Sequence, residues 1–164
     1  MRLAELNAAD RRDVLAALRP CLDVDRWLDA VADGRPYASV DALVAAAQTA
    51  AAPFTEDEVD RALVHHPRIG DRPAGDSVEA RMSRAEQGDT DLRAETARLL
   101  REGNEAYEER FDRVFLVRAA GRGPEEILAA LRARLTNAPE VEARVVADQL
   151  LEIALLRLRG LVTP

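Results

Sequence analysis

The sequence predicts an all-α fold, a single-domain bundle of about eight helices over residues 1–164, and three observations carry that prediction. Aromatic residues make up only 4% of the chain, so its core must be mostly Ala, Leu and Val. Such a core suits closely packed helices better than a sheet rich in aromatic and β-branched side chains. Capping residues and prolines cut the chain into stretches of helical length. No repeat, low-complexity tail or clear linker interrupts them, and 164 residues suit one compact core.

The elements follow in order. Asn7 caps a helix over roughly 8–18 that ends near Pro20. Asp23 caps a second to about Asp33, with Gly34 just beyond it. Ser39 opens "VDALVAAAQTAAA", which Pro53 stops. Thr55 and Glu58 form a capping-box pattern ahead of "EDEVDRALVHH". Pro67 closes that helix, because the residue before a proline avoids the helical region. The Gly/Pro/Asp-rich "RIGDRPAGD" reads as a loop, followed by a short helix over about 77–87 and a long one over about 91–110. "VFLV" at 114–117 reads as a buried connector rather than a strand. Pro124 at a first helical position starts "PEEILAALRARL", and Pro139 starts the last helix, to about Leu161.

Composition excludes several kinds of chemistry. The net charge of -7 argues against a nucleic-acid surface. No apolar run approaches the ~18 residues of a membrane span, and "MRLAELNAADRRD" lacks an apolar signal core, so a cytoplasmic location is expected. One cysteine, Cys21, allows no intrachain disulfide and no CxxC knuckle. All 23 basic residues are arginine, which closes off a lysine imine, a pyridoxal phosphate anchor and a Walker lysine.

Three constellations place polar groups where function could use them. In "DRALVHHPRIGDRP", the helix from Thr55 aligns His66 with Val59, Ala62 and Leu63, and His65 with Glu58 and Arg61. His66 is therefore expected to point inward and His65 to water. Adjacent helical residues diverge by about 100°, so the two do not suit one metal. No HxxxH or HxxE pattern supplies a second ligand, and no metal site is expected. His66 fits either a buried histidine at a helix C-terminus or a catalytic group. In "SRAEQ", Ser83, Glu86 and Gln87 share a helical face, either as a capping box with solvated neighbours or as a polar grip on a small ligand. On the final helix, Val146, Leu150, Ile153, Ala154 and Leu161 form an apolar stripe with Arg157 inside it, while Arg159 lies opposite, near Glu152. A guanidinium so placed needs a partner, either structural or a substrate carboxylate.

Together "HHPRIG", "SRAEQ", "NEAYEERF" and the terminal "LRLRGLV" resemble the 2-oxo-4-hydroxy-4-carboxy-5-ureidoimidazoline (OHCU) decarboxylase family. The resemblance runs the full length: "LNAADRRDVLAAL", "RWLDAVADGRPY" and "ALVAAA" fit the family's opening helices in order. It implies an all-α, usually dimeric enzyme without metal or organic cofactor, which removes CO2 from OHCU to yield (S)-allantoin late in urate degradation. It also implies roles. His66 would be the catalytic acid/base, in a loop shaped by Pro67, with Glu86 beside it in the catalytic set. Ser83, Glu86 and Gln87 would bind the ureido and ring groups. Phe115, Leu116, Val117, Arg118 and Ala119 would line the pocket, partly through backbone groups, and Arg157 matches the terminal-helix arginine. The chain departs from the family at "FDRVF", 111–115, where Asp112, Arg113 and Val114 replace the usual Gly, aromatic and Pro. Arg118 adds a charge to the apolar run, and Gly103 stands where Leu is more usual, which is expected only to weaken packing.

The chemistry is consistent with a chain that has no lysine. Decarboxylation needs an electron sink, and the OHCU ring carries its own C=N beside the carbon that loses CO2. The protein then needs only to orient the ring and manage protons. Three rival readings stay open at this stage: a non-enzymatic helical interaction domain, a related ring-handling lyase or hydrolase on the same fold, and, weakest, a metal-dependent hydrolase. The first predicts that His66, Glu86 and Arg157 scatter in space, and the second that Arg113 or Arg118 enters the pocket.

Overall fold

The computed structural model describes residues 1–51, 53–64, 66–69, 82 and 94–164. Among them run eight helices: α1 (Leu3–Ala8), α2 (Arg11–Leu18), α3 (Asp25–Asp33), α4 (Val40–Ala51), α5 (Glu56–Leu63), α6 (Ala94–Phe111), α7 (Pro124–Arg134) and α8 (Pro139–Leu161). The described residues contain no strand, and a lone parallel bridge joins Arg2 to Thr163. The all-α expectation therefore holds. None of the described helices is long and apolar enough to cross a membrane. The chain folds as two compact units: Met1–Ala62 with Leu151–Pro164, and Leu63–Leu150.

In the first unit, Leu6, Val14, Leu18, Trp27, Leu43, Ala47 and Leu158 are completely buried. The Trp27 indole N–H donates to the Ala47 carbonyl at 2.8 Å, as a buried indole should. The helix expected over 8–18 is α2, which starts only at Arg11, and an unexpected short helix, α1, precedes it. α1 is too short to show a period, and α2 has Asp10 rather than Asn7 at its N-cap. Asn7 instead pairs with the Tyr37 backbone: its Nδ2 donates to the carbonyl and its Oδ1 accepts the N–H, each at 2.9 Å. Ser39 caps α4 as expected, its hydroxyl accepting the Ala42 N–H at 3.1 Å. α3 starts two residues past the expected cap, after Val24, and Gly34 ends it.

The Thr55–Glu58 capping box is present: Thr55 N–H donates to Glu58 Oε2 at 2.9 Å, and Glu58 N–H to Thr55 Oγ1 at 3.3 Å. The helical phase nevertheless misplaces Glu58. It is buried rather than on the wet face, because Arg26 reaches it with Nε at 2.7 Å and Nη2 at 3.0 Å. The same guanidinium also donates to the Ala50, Ala51 and Pro53 carbonyls, so one side chain closes α4 and orients α5. Arg26 holds the Glu58 carboxyl below its ordinary range, opposed by burial.

The second unit is built on α6 and α7. Its core comprises Ile69, Leu100, Tyr107, Phe115, Val117, Ala119, Ile127, Leu128 and Leu131. Gly103 permits the close approach of the two helices. A Cβ there would stand 2.5 Å from Leu131 Cδ2, so leucine does not fit beside Leu131 as it stands. The expectation that Gly103 only weakens packing is corrected: Leu131 already occupies that space.

Candidate active site

The loop around His66 follows from Pro67. A proline ring clashes with the carbonyl four residues earlier, here Leu63, and Leu63 is the last residue of α5. Val64 turns outward, 79% exposed, and the His66 N–H donates to the Leu63 carbonyl at 2.9 Å. α5 thus stops short of the expected end at Pro67, and helical phase cannot be extended to His66. The inward direction holds for a different reason: His66 is half-buried, in the loop, with its Nε2 atom buried. Val59, Ala62 and Leu63 do form the buried face of α5.

Beyond His66 the loop is tied to α6. Arg68 forms a two-bonded ion pair with Glu108, Nε to Oε1 at 2.6 Å and Nη2 to Oε2 at 2.5 Å. Asn104, one turn earlier on α6, donates from Nδ2 to the Ile69 carbonyl at 3.0 Å. Ile69 itself enters the core that also contains Phe115, Val117 and Ala119. Pro67 is half-buried between these fixtures.

The segment expected to line the pocket is a connector without helix or strand, as anticipated, with Phe115, Leu116, Val117 and Ala119 buried and Arg118 half-buried. It begins at Asp112, whose φ of 52° lies in the left-handed region and whose N–H donates to the Glu108 carbonyl at 2.9 Å. A left-handed residue at a helix end favours glycine, which gives a physical reason for the usual Gly at this point in "FDRVF". Aspartate tolerates that conformation better than most residues.

A buried polar network holds the middle of the segment. Arg134 donates from Nη1 to the Leu116 carbonyl at 2.7 Å. Its Nε and Nη2 reach Glu142 Oε1 at 2.8 and 2.5 Å. The Tyr107 hydroxyl donates to the same oxygen, and Asn137 Nδ2 donates to Oε2 at 2.7 Å. The guanidinium also lies 4.6 Å from the centroid of the Phe115 ring. Burial first, then the hydrogen bond to Glu142, pushes the Tyr107 hydroxyl well above its ordinary range, so it serves as a permanent donor. Arg118 is anchored through its backbone N–H to Gln149 Oε1 at 2.9 Å, while its Nη1 folds back to the Ala120 carbonyl, also at 2.9 Å.

The second unit thus contains His66, Pro67 and the whole of Phe115–Ala119. Arg157 belongs to the first, 5% exposed, with Nη1 donating to the Pro20 carbonyl at 3.1 Å. Of the stripe around it, Val146, Leu150, Ile153 and Ala154 are buried and Leu161 is half-buried. Arg159 is exposed and pairs with Asp41 at 2.8 Å. Ser83, Glu86, Gln87 and His65 lie outside the described residues, as does nearly all of the helix expected over 77–87. Sequence reasoning assigned no roles to Asn104, Tyr107, Glu108, Arg134 and Glu142. "NEAYEERF" held a signal for three of them: Asn104, Tyr107 and Glu108 share one face at the i, i+3, i+4 spacing.

Comparison with known proteins gives a consistent picture. The family model for OHCU decarboxylase matches residues 7–159. A 2-oxo-4-hydroxy-4-carboxy-5-ureidoimidazoline decarboxylase of Haloferax volcanii is 29% identical over 161 residues, covering 96% of this chain and 94% of that protein. The uric acid degradation bifunctional protein TTL of Arabidopsis thaliana is 35% identical over 100 residues, which span 58% of this chain and 31% of that protein. Among solved structures, OHCU decarboxylase in the presence of (S)-allantoin superposes with a TM-score of 0.75 at 22% identity, covering 93% of this chain and 98% of that one. An (S)-allantoin synthase gives 0.72 at 17% identity, covering 99% of this chain and 54% of that one. At these identities the two structures speak to the fold alone.

Proposed function

Because this chain belongs to the OHCU decarboxylase family, we propose that it removes CO2 from OHCU without a cofactor and delivers (S)-allantoin. The observation that carries the reading is the half-buried His66, which stands directly before Pro67 with its N–H tied to the last residue of α5, in a loop that α6 holds through Arg68 and Ile69. Breaking the C–CO2 bond leaves an electron pair, which the adjacent ring C=N accepts. The ring nitrogen that takes the pair gains a proton, the hydroxyl on the reacting carbon gives one up, and another must reach the carbon bearing the ureido group from a single face, with a net uptake of one proton from solvent. An imidazole with a pKa near neutrality suits that exchange.

His66 hydrogen-bonds the hydroxyl and moves the proton. Ser83, Glu86 and Gln87 hold the ureido N–H and C=O groups and so select the ring face. Phe115 to Ala119 border the substrate, with Arg118 contributing mainly backbone because its guanidinium turns back to Ala120. Arg157 balances the anionic substrate or orients Glu86. A grip on the reacting carboxylate alone would stabilise the ground state and slow CO2 loss, which favours the positioning role. We propose further that residues 1–164 act as one domain, as a cytoplasmic homodimer.

The test generates OHCU in situ from urate and follows allantoin by circular dichroism. The protein is expected to accelerate the decay and give chiral product; the spontaneous rate and racemic allantoin would refute the reading. His66→Ala is expected to abolish nearly all of the rate, and His65→Ala to retain most of it. Equal losses would overturn the assignment of the two histidines.

A further inference from the structure

We infer that Asn104, aided by Glu108 one turn later, is a positioning residue for His66. The inference rests on the reading of His66 as the proton-handling group. His66 is fixed on its near side by its own N–H bond to Leu63. Pro67 then restricts the backbone to a narrow φ. On the far side Glu108 holds Arg68, and Asn104 holds the Ile69 carbonyl. Four consecutive residues, 66–69, are therefore tied at both ends, with the imidazole between.

Stability alone does not account for asparagine here. Asn104 is 3% exposed, and its Oδ1 is buried and accepts no hydrogen bond among the described residues. A leucine of similar size would avoid burying that oxygen. What leucine lacks is a donor for the Ile69 carbonyl. A proton-transferring group must come within about 2.6–3.2 Å of its target, and a misplacement of about 1 Å can cost ~100-fold in rate. A side chain that sets the loop but never meets substrate is thus expected to act on kcat.

The experiment compares wild type, Asn104→Leu and Glu108→Ala in the full chain, in the coupled circular-dichroism assay. Thermal unfolding and the imidazole 1H–13C signals are recorded alongside. The chain has two histidines, so His65→Ala assigns both signals. Asn104→Leu is expected to lose at least ~10-fold in kcat, with KM changed less than about threefold. Its thermal midpoint should stay within about 5 °C of wild type, and the His66 signals should shift while those of His65 do not. Glu108→Ala, whose ion pair is partly solvated, is expected to lose kcat by about two- to fivefold with a smaller shift of the same signals. Full kcat in Asn104→Leu, or a loss that merely tracks a fall in folded fraction, would overturn the inference. Unmoved His66 signals would also overturn it, whether or not the protein is active. A wild type that fails to accelerate OHCU decay would instead refute the proposed reaction, a separable result.

Discussion

Replacing Glu142 with leucine strands the buried Arg134 guanidinium in the second unit. Arg134 and Glu142 have side chains 10% and 1% exposed, and neither can recover water without the core opening. Two charges withdrawn this far are tolerable only because every strong site on them is used. Glu142 accepts from Arg134, Tyr107 and Asn137, and Arg134 spends its remaining reach on the Leu116 carbonyl. Removing one partner of such a pair typically costs ~3–5 kcal/mol. Against a total stability of about 5–15 kcal/mol, that is a large share. At about 2–4 °C per kcal/mol for a chain of this size, the thermal midpoint should fall by roughly 6–20 °C. The decisive measurement is a double-mutant cycle by urea denaturation, with Glu142→Leu, Arg134→Met and both together. The double variant should recover at least ~2 kcal/mol relative to the sum of the singles, because no charge is then left unpaired. Additive losses would refute the claim that the two residues act as one buried unit.

Four of the same structural arguments give shorter tests. Asp112→Gly relieves a left-handed aspartate and should raise stability in urea by about 0.5–1 kcal/mol; an unchanged or lowered midpoint would contradict it. Gly103→Leu should destabilise by about 1–3 kcal/mol through collision with Leu131, and Leu131→Ala in the same chain should recover part of that loss. Glu58, with its carboxyl lowered by Arg26, stabilises the fold above its ordinary value of 4.5, and that contribution fades as pH falls through the lower folded value. The thermal midpoint of Glu58→Gln should therefore converge on that of wild type in acid and fall below it near neutrality. Asp41→Ala breaks an ion pair with both side chains more than half exposed and should change stability by less than ~1 kcal/mol in the same denaturation assay.

The helix boundaries show which signals were legible. Pro124 and Pro139 start α7 and α8, and Thr55 with Glu58 starts α5, because these are local effects that need no partner elsewhere in the chain. α1 escaped because six residues hold too little of a helical period to read. The end of α5 was misread by three residues, His66 for Leu63. The conformational bar before Pro67 was applied to His66, whereas the ring's steric reach to the Leu63 carbonyl acts earlier. Arg157 was legible as a buried cation from its place in an apolar stripe, but its Pro20 carbonyl partner was not.

By itself, then, the sequence determined the all-helical class, the starts of α4, α5, α7 and α8, and the histidine that precedes proline. Each follows from backbone sterics, capping and periodicity over a few residues. Only the tertiary structure decided which polar side chains go inside. Glu58 is buried because Arg26 comes from α3, and Arg134 because Tyr107, Glu142 and the Leu116 carbonyl converge on it. Asn104 meets Ile69 across a chain separation of 35 residues. Burying a polar group is favourable only when its partners are in place, and those partners are distant in sequence, so no local pattern could announce them.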